Sequence, residues 1–494
     1  MLLNNELLGS GHAFSLSGTS IDEIRRQARK DLIEAALHYT GRYRDVFDRN
    51  PKAAIVMAGH QPTLFHPGVW YKNFVLSRFA ETVDAWAINL VVDNDYNPSR
   101  SIRVPTGSSD QPRIEWLKFD SHPASGPFET ESLHSREVFD QFGVQVEKTI
   151  RPLIGSQVDD LLVKRLWPLA MDGLDLLGKP SLAIAAGRHR LEQDFGLRTL
   201  EVPVSQLCRT QSFAHFAAEL IERAPALKSI YNEQLLEYRR VNRIRSQSHP
   251  VPELKEFDSW IEIPFWVWRA ESSVRRPLFV EVHKDVIKLT DLEDITLVLD
   301  RNSNIPSQIL EWETQGICLR TRALTTTMFA RLVLCDLFVH GIGGGKYDQL
   351  TDEIIRDFFG VEPPTLAIVT ATHQLPINHT VFTKADIARL QNRLRDLNFH
   401  AEQFGDFADE HFKKFVDKKT RHWQEIPASG SKKAWHDEME SINAVLRRTL
   451  AQDRIELESE IRAMRQAVQK SGLLSSREFS FCLFGEGLIE SLRD

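Results

Sequence analysis

Two glycine-bearing turns carry residue types suited to holding an anionic small molecule. The first reads Met57-Ala58-Gly59-His60-Gln61-Pro62, and the second His340-Gly341-Ile342-Gly343-Gly344-Gly345-Lys346-Tyr347-Asp348. Each stands where an apolar, strand-like run gives way to a helix-like one. Glycine lets backbone amides approach a ligand, and the N-terminus of a following helix favours an anion. Three adjoining glycines also cost conformational entropy, which close packing alone accounts for poorly. The second run matches neither Gly-x-Gly-x-x-Gly nor Gly-x-x-x-x-Gly-Lys-Ser/Thr, despite Lys346. Gly59, Gln61, Gly341, Gly343, Gly344, Gly345 and Tyr347 are therefore expected to bind a substrate or nucleotide through backbone and edge contacts.

Around these turns stand groups able to move protons or meet charge. His60, at a strand end, can stabilise developing negative charge, or simply cap carbonyls of its turn. His66 shares its loop. Lys72 lies one turn into the next helix and can neutralise an anion. Asp93 and Asp95 end the following strand, where carboxylates act as bases, orient an amine or form an Asx-turn. His60, Asp93 and Asp95 are the candidate catalytic residues. His340, His373 and Asp93 could join His60 as metal ligands by type, but nothing in their spacing demands it, and no metal is assigned. Arg275 and Arg276 could reach an acidic ligand, although a solvated turn is the plainer account. No Gly-x-Ser-x-Gly elbow is present.

The elements that must position these residues follow from pattern. Ser20 and Glu23 form a capping-box sequence opening a helix to about Tyr39. Strand Ala53–Ala58, helix Gly68–Phe79 and strand Asp84–Val92 read as a βαβ unit and argue for a parallel sheet. Ser181–Ala186 reads as a small-residue strand, and Phe213–Ala224 as a helix. Ile261–Arg269 and Pro277–His283 read as an antiparallel hairpin inserted in the core. Ile317–Arg322 and Leu332–His340 read as strands, with a helix from about Tyr347 to Phe359 ended by Gly360. Leu366–Val369 is a further strand. Beyond about Pro376 the period changes. Ile387, Leu390, Leu394 and Leu397 mark one helix, and the stripe from Trp435 through Met439, Ile442, Leu446, Leu450, Leu457 and Ile461 to Val468 marks a longer one. The domains expected are a core over 1–375 with inserted segments near 200–300, a helical coiled-coil arm over 376–475, and a segment over 476–494 returning to the core.

Composition sets the class. The 494 residues are 42% hydrophobic and 26% charged, ordinary values for a globular protein with two or three domains. A net charge of -7 disfavours a nucleic-acid partner. No apolar run is long enough for a membrane span, and the N-terminus lacks a signal-peptide pattern. Cys208, Cys318, Cys335 and Cys482 are scattered, which fits the cytoplasm.

Four pieces of the chain resemble the cysteine ligase family of bacillithiol biosynthesis, the cysteine-adding enzymes. They are Val56–Phe65 through Tyr71-Lys72, Asp93-Asn94-Asp95, Arg322 through Gly341–Gly345 to Phe359-Gly360-Val361, and Arg477-Glu478-Phe479 to Leu488-Ile489. The resemblance implies an α/β fold with a Rossmann-like parallel-sheet core, inserted connecting segments and a C-terminal α-helical coiled-coil arm that pairs two subunits. It implies a ligase that adds cysteine to a glucosaminyl-malate amine, forming an amide. Two departures touch the site: His60 stands where the family has a second glutamine, and Val92-Asp93-Asn94-Asp95 replaces a more acidic strand end.

The leading expectation is an enzyme joining cysteine or a related amino acid to the amine of a small sugar-derived substrate, with ATP or another nucleotide in the crevice. The alternatives are a nucleotidyltransferase-like enzyme and a non-catalytic metabolite-binding protein. The expected partners are small-molecule substrates and a second copy of the chain, held through the helical arm because one partner helix leaves much of the long stripe uncovered.

Overall fold

The computed structural model describes Asn4 and residues 14–96, 99–122, 126–246, 251–428 and 432–493. The chain divides into two compact units. One comprises Met1–Val104, Glu115–His373 and Arg477–Asp494, and the other Pro105–Ile114 and Gln374–Ser476.

In the larger unit, helix α1 (Ile21–Gly41) opens at Ser20, whose hydroxyl accepts the Glu23 N–H at 3.3 Å. Strand β1 (Ile55–His60) leads into α2 (Pro67–Thr82) and β2 (Trp86–Val91). A close helical pair follows, α3 (Leu162–Leu177) and α4 (Pro180–Asp194), and then β3 (Leu200–Pro203). The chain next builds an insert containing β4 (Trp260–Arg269), β5 (Arg276–Val282), β6 (Val286–Thr290), β7 (Thr296–Asp300) and β8 (Ile317–Thr321). It returns as β9 (Leu337–Gly341), α5 (Ile342–Phe359) and β10 (Leu366–Val369).

Five of these strands form one parallel sheet, in the order β10-β9-β1-β2-β3. Counted by chain position the order is 5-4-1-2-3, so growth of the sheet reverses between β1 and β9. Residues alternate across β1 as the pleat requires. Ile55 and Met57 join the core cluster containing Phe338 and, from α5, Leu350 and Ile354. Val56 and Ala58 pack instead with Leu76 and Ala80 of α2. The two helices that follow the central strands thus cover opposite faces of the sheet. Asp336, buried just before β9, accepts the Ile55 N–H at 2.7 Å and pairs with Arg25 and Arg29 at 3.0 and 2.8 Å, fixing α1 to the sheet.

The structure corrects four element assignments. Ser181–Ala186 lies in helix α4, which has Pro180 at its first turn. Its small residues serve helix packing: a Cβ on Gly187 would lie 2.7 Å from the Ala170 nitrogen, and one on Gly173 2.9 Å from the Ala183 carbonyl oxygen. Leu332–His340 is not one strand, because Ala330–Leu334 is a π-helical turn and β9 starts at Leu337. Helix α5 begins at Ile342 rather than near Tyr347, so the glycines form its first turn. The inserted hairpin belongs to a larger antiparallel sheet, β7-β6-β5-β4-β8, with Glu256–Phe257 paired to β4.

In the second unit, α6 (Lys384–Phe399) opens on a capping box of Thr383 and Asp386. It is followed by α7 (Glu410–Gln424), α8 (Lys433–Thr449) and α9 (Ala451–Leu474). The long stripe is therefore broken at Leu450. Helix α6 packs with α9, and α7 with α8. Leu397, Ala401, Phe412, Val416, Ile442, Leu446 and Leu450 form its core. Ile442, Leu446, Leu457 and Ile461 are buried within one chain, so most of the stripe is covered without a second copy.

The segment after Ser476 packs in the larger unit. Phe481 is fully buried, its ring 4.4 Å from Trp70 and 5.6 Å from Phe65, and its N–H meets the Phe65 carbonyl at 2.9 Å. Replacing it leaves a cavity beneath the first turn. Phe481→Ala is expected to destabilise the protein by about 3–5 kcal/mol in urea unfolding. A loss below about 1 kcal/mol would mean that this segment contributes little to the core.

Candidate functional site

The carboxyl ends of four parallel strands open onto one cavity of about 550 Å³. Gly59, His60 and Gln61 come from β1, Val92 and Asp95 follow β2, His340 and Gly341 end β9, and Val369, Thr370 and Ala371 end β10. The first two turns of α2 and α5 add Gly68, Lys72, Gly343, Gly344 and Tyr347. In an open α/β sheet, the point where strand order reverses is where such a crevice forms, because consecutive connections leave on opposite faces.

Both helices direct N-termini toward this region. His66 caps α2, its Nδ1 accepting the Gly68 N–H at 3.1 Å. Helix α5 has no side-chain cap. Its first amides remain available to a ligand, at the positive end of an 18-residue helix. Lys72 is 5% exposed, and its Nζ donates to the Gly59 carbonyl at 2.6 Å. No carboxylate pairs with it among the described residues, and burial alone pushes its ammonium down to about 8. The deeply buried arginines differ. Arg188 meets Glu192 and Glu201, Arg320 meets Glu129 and Glu313, Arg331 meets Asp348 and Asp352, and Arg100 meets Asp120 and Glu131.

Besides His66, two imidazoles line the cavity. His60 is buried against the Phe65 ring at 4.9 Å, and neither ring nitrogen makes a hydrogen bond of normal geometry, although the Gln61 backbone and the Asn73 side chain lie beside it. Burial, with the cations of Arg188 and Lys72, holds its pKa well below the usual range. The Nε2 of His340 is also buried without a partner. Burial pushes the pKa of His340 down to about 4. Both shifts favour the neutral ring at pH 7.

A charged framework supports this floor on the α2 side of the sheet. Glu192 accepts from Trp70 Nε1 at 2.6 Å, Asn73 at 2.7 Å and Arg188 at 2.5 Å. Arg188 also bonds Glu201, whose carboxyl burial raises to about 7. The sequence reading missed this network because it placed Arg188 beyond a strand. A helical reading puts Arg188 and Glu192 four residues apart on one face.

The expected site residues separate into two groups. Gly59, His60, Gln61, Lys72, Asp95, Gly341, Gly343, Gly344 and Tyr347 line the cavity together. Asp93 and Gly345 do not. Asp93 is buried elsewhere, with its carboxylate accepting the Ser205 N–H at 2.9 Å and the Ser205 hydroxyl at 2.5 Å. Burial and the charge of Glu129 raise its pKa to about 7. A Cβ on Gly345 would lie 2.7 Å from Ile368 Cδ1, so this glycine serves packing. Asp348 also faces inward, bonded to Thr327 at 2.6 Å and Arg331 at 3.0 Å. His373 is outside the lining.

Arg275 is not a solvated turn residue. It donates to the Asn94 carbonyl at 2.8 Å and pairs with Asp95 at 3.0 Å, while Gln61 bonds the other oxygen of Asp95. Its guanidinium lies 4.7 Å from the Trp266 ring centre. The insert is thereby tied to the crevice rim. Arg276 pairs with Glu293 at 2.9 Å. Thr326 and Thr327, also from the insert, line the cavity and carried no motif.

No group of three or more His, Cys, Asp or Glu suited to a metal occurs among the described residues. No described helix is long and apolar enough to cross a membrane. All four cysteines are buried and free. Compared with known proteins, the chain matches no family model, and no curated protein is similar to it.

The raised carboxyls make a stability prediction. Asp93 and Glu201 ordinarily titrate near 3.8 and 4.5, against about 7 in the fold. The folded state therefore holds more protons between those values. Their contribution is full below about pH 4 and is lost as pH rises through about 7. Melting temperatures of Asp93→Asn and Glu201→Gln, relative to wild type, should improve steadily from pH 5 to 8. A difference that does not change with pH would place both carboxyls near their ordinary values.

Proposed function

We propose that this chain is a Rossmann-like small-molecule enzyme that forms a carbon–nitrogen bond, joining cysteine or a related amino acid to the amine of a sugar-derived substrate that also carries an anionic group. The observation that carries the reading is Lys72: a buried cation without a carboxylate, in a cavity that also holds the uncapped N-terminus of α5. Such a cation calls for a counter-charge from outside the protein. The malate carboxylates of a glucosaminyl-malate substrate, or the phosphates of ATP, have that charge. The neutral imidazoles of His60 and His340 can exchange hydrogen bonds with the reacting amine and acyl groups. The resemblance in the two glycine turns supports the amide-forming chemistry.

The same proposal includes cytoplasmic location and a homodimer through the helical unit. Phe407 and Trp423, each more than half exposed there, are available to a second copy. Because Leu446 and Ile461 are buried in one chain, Leu446→Glu with Ile461→Glu tests folding of the unit as well as pairing. Light scattering of wild type at tens of micromolar, on the order of assay concentrations for standard interfaces, is the direct test. A monomer there would end the dimer proposal.

The functional test uses the full chain with cysteine, glucosaminyl-malate and ATP, and mass spectrometry of the products. The expected product is the amide conjugate. Pyrophosphate release without an amide would favour nucleotidyl transfer, and ligand-induced stabilisation without turnover would favour a binding protein. Lys72→Met separates the anion reading from general damage. Without ligand it should melt higher than wild type, since an unpaired buried charge is gone. The stabilisation that ATP or glucosaminyl-malate gives wild type should disappear. A variant that melts lower and still responds to both would refute the role of Lys72.

A further inference from the structure

Glycine at position 344 has a cause other than ligand approach. Its backbone is helical, within the first turn of α5, so no left-handed conformation requires glycine. A Cβ there would overlap the ring of His340, with Cε1, Nδ1 and Nε2 its nearest atoms. The neighbouring Gly343 differs: a Cβ on it would meet nothing within 4 Å. The imidazole of His340 therefore lies across the start of the helix, in space that any other residue at 344 would fill. Phe338 and Tyr347 hold it by edge-on contacts, with ring centres 5.5 and 6.1 Å away. The ring borders the cavity, and its buried Nε2 has no hydrogen-bond partner.

We propose that His340 is a ligand-binding group of the crevice, hydrogen-bonding an anionic or carbonyl oxygen beside the α5 N-terminus, and that Gly344 is the residue that seats it. This rests on the reading that an anionic ligand occupies the cavity. The chemistry is that of an imidazole kept uncharged. Burial lowers its pKa, and the cations of Lys72 from α2 and Arg331 from the π-helical turn act in the same direction, against Asp348 from α5. A neutral imidazole at a helix N-terminus donates one N–H to an oxygen without bringing a second full charge next to Lys72. Its contribution to binding should therefore stay level between pH 6 and 8, whereas that of a charged imidazolium would fade across this range.

The test is a double-mutant cycle in the full chain, with ATP and inorganic phosphate as probes and calorimetry and thermal melting as readouts. His340→Ala and Gly344→Ala should each weaken binding about tenfold or more, as the loss of one good hydrogen bond does. The double variant should bind no worse than His340→Ala, because the methyl group added at 344 then displaces nothing. His340→Gln, which keeps a donor, should recover most of the affinity, and Gly343→Ala should fold and melt like wild type. Additive losses would overturn the seating role and show that Gly344 acts through its own backbone. Unchanged affinity in folded His340→Ala would overturn the binding role while leaving the anionic-ligand reading intact. If wild type binds neither probe, and glucosaminyl-malate does not stabilise it either, that broader reading fails and the binding role of His340 fails with it. Seating is still judged without ligand: Gly344→Ala should lower the melting temperature when His340 is present and not when it is alanine. An equal drop in both backgrounds overturns it.

Discussion

Removing a charged group from water costs several kcal/mol unless opposite charge and hydrogen bonds replace the water. The larger unit observes this rule at its four most deeply buried arginines, Arg100, Arg188, Arg320 and Arg331, each matched by two carboxylates. Their contribution is to specify geometry more than to add stability, since apolar residues could often replace such pairs without loss. Arg188 illustrates the effect. Through Glu192 it orients Trp70 and Asn73 of α2, the helix that also carries Lys72. The framework that satisfies one buried cation thus fixes the element holding another that is not satisfied. Lys72 keeps a single hydrogen bond to a backbone carbonyl, and burial lowers its pKa with no carboxylate to offset it.

The sheet makes that exception possible. With β1 and β9 adjacent and their following helices on opposite faces, the chain opens a gap above the two central strands. Backbone amides at the start of α5 and short side chains around it line this gap. Longer side chains at 343 or 344 would either occupy the cavity or displace His340. The insert closes part of the rim through Arg275, Asp95 and Gln61, so residues 180 positions apart in the sequence share one small site.

Much of this arrangement was legible in the residues. Alternating apolar strands, glycine turns and the βαβ order located β1, α2, β2 and β9, and with them His60, Lys72 and the glycines. What stayed hidden has physical reasons. Ser181–Ala186 lacks the bulky periodicity that separates a helix from a strand, because its small residues serve close approach to α3. The sequence pattern starts α5 too late because glycine is a poor helix former, and here tertiary contacts override that preference. Asp93 ends β2 as read, yet its side chain turns to Ser205, a partner 112 residues away that no local pattern announces. The stripe in the second unit implied one long helix and a second chain, because periodicity does not show a break at Leu450 or reveal which surface covers a face.

The three consecutive glycines show how far one motif can divide in meaning. Gly345 makes room for Ile368, Gly344 for the ring of His340, and only Gly343 faces space that a side chain could enter freely. A run of glycines at a helix N-terminus is commonly read as backbone offered to an anion. Here that description fits one residue of the three directly. The others act at one remove, by letting a strand and an imidazole approach the helix more closely than any Cβ would permit. Close approach also explains why the ring stays neutral. A histidine packed this tightly meets little water, which is the main reason it disfavours a second positive charge; Lys72 and Arg331 act in the same direction and Asp348 against it. The same packing that demands glycine at 344 therefore sets the protonation state of His340, and a change in either residue alters the electrostatics of the whole crevice.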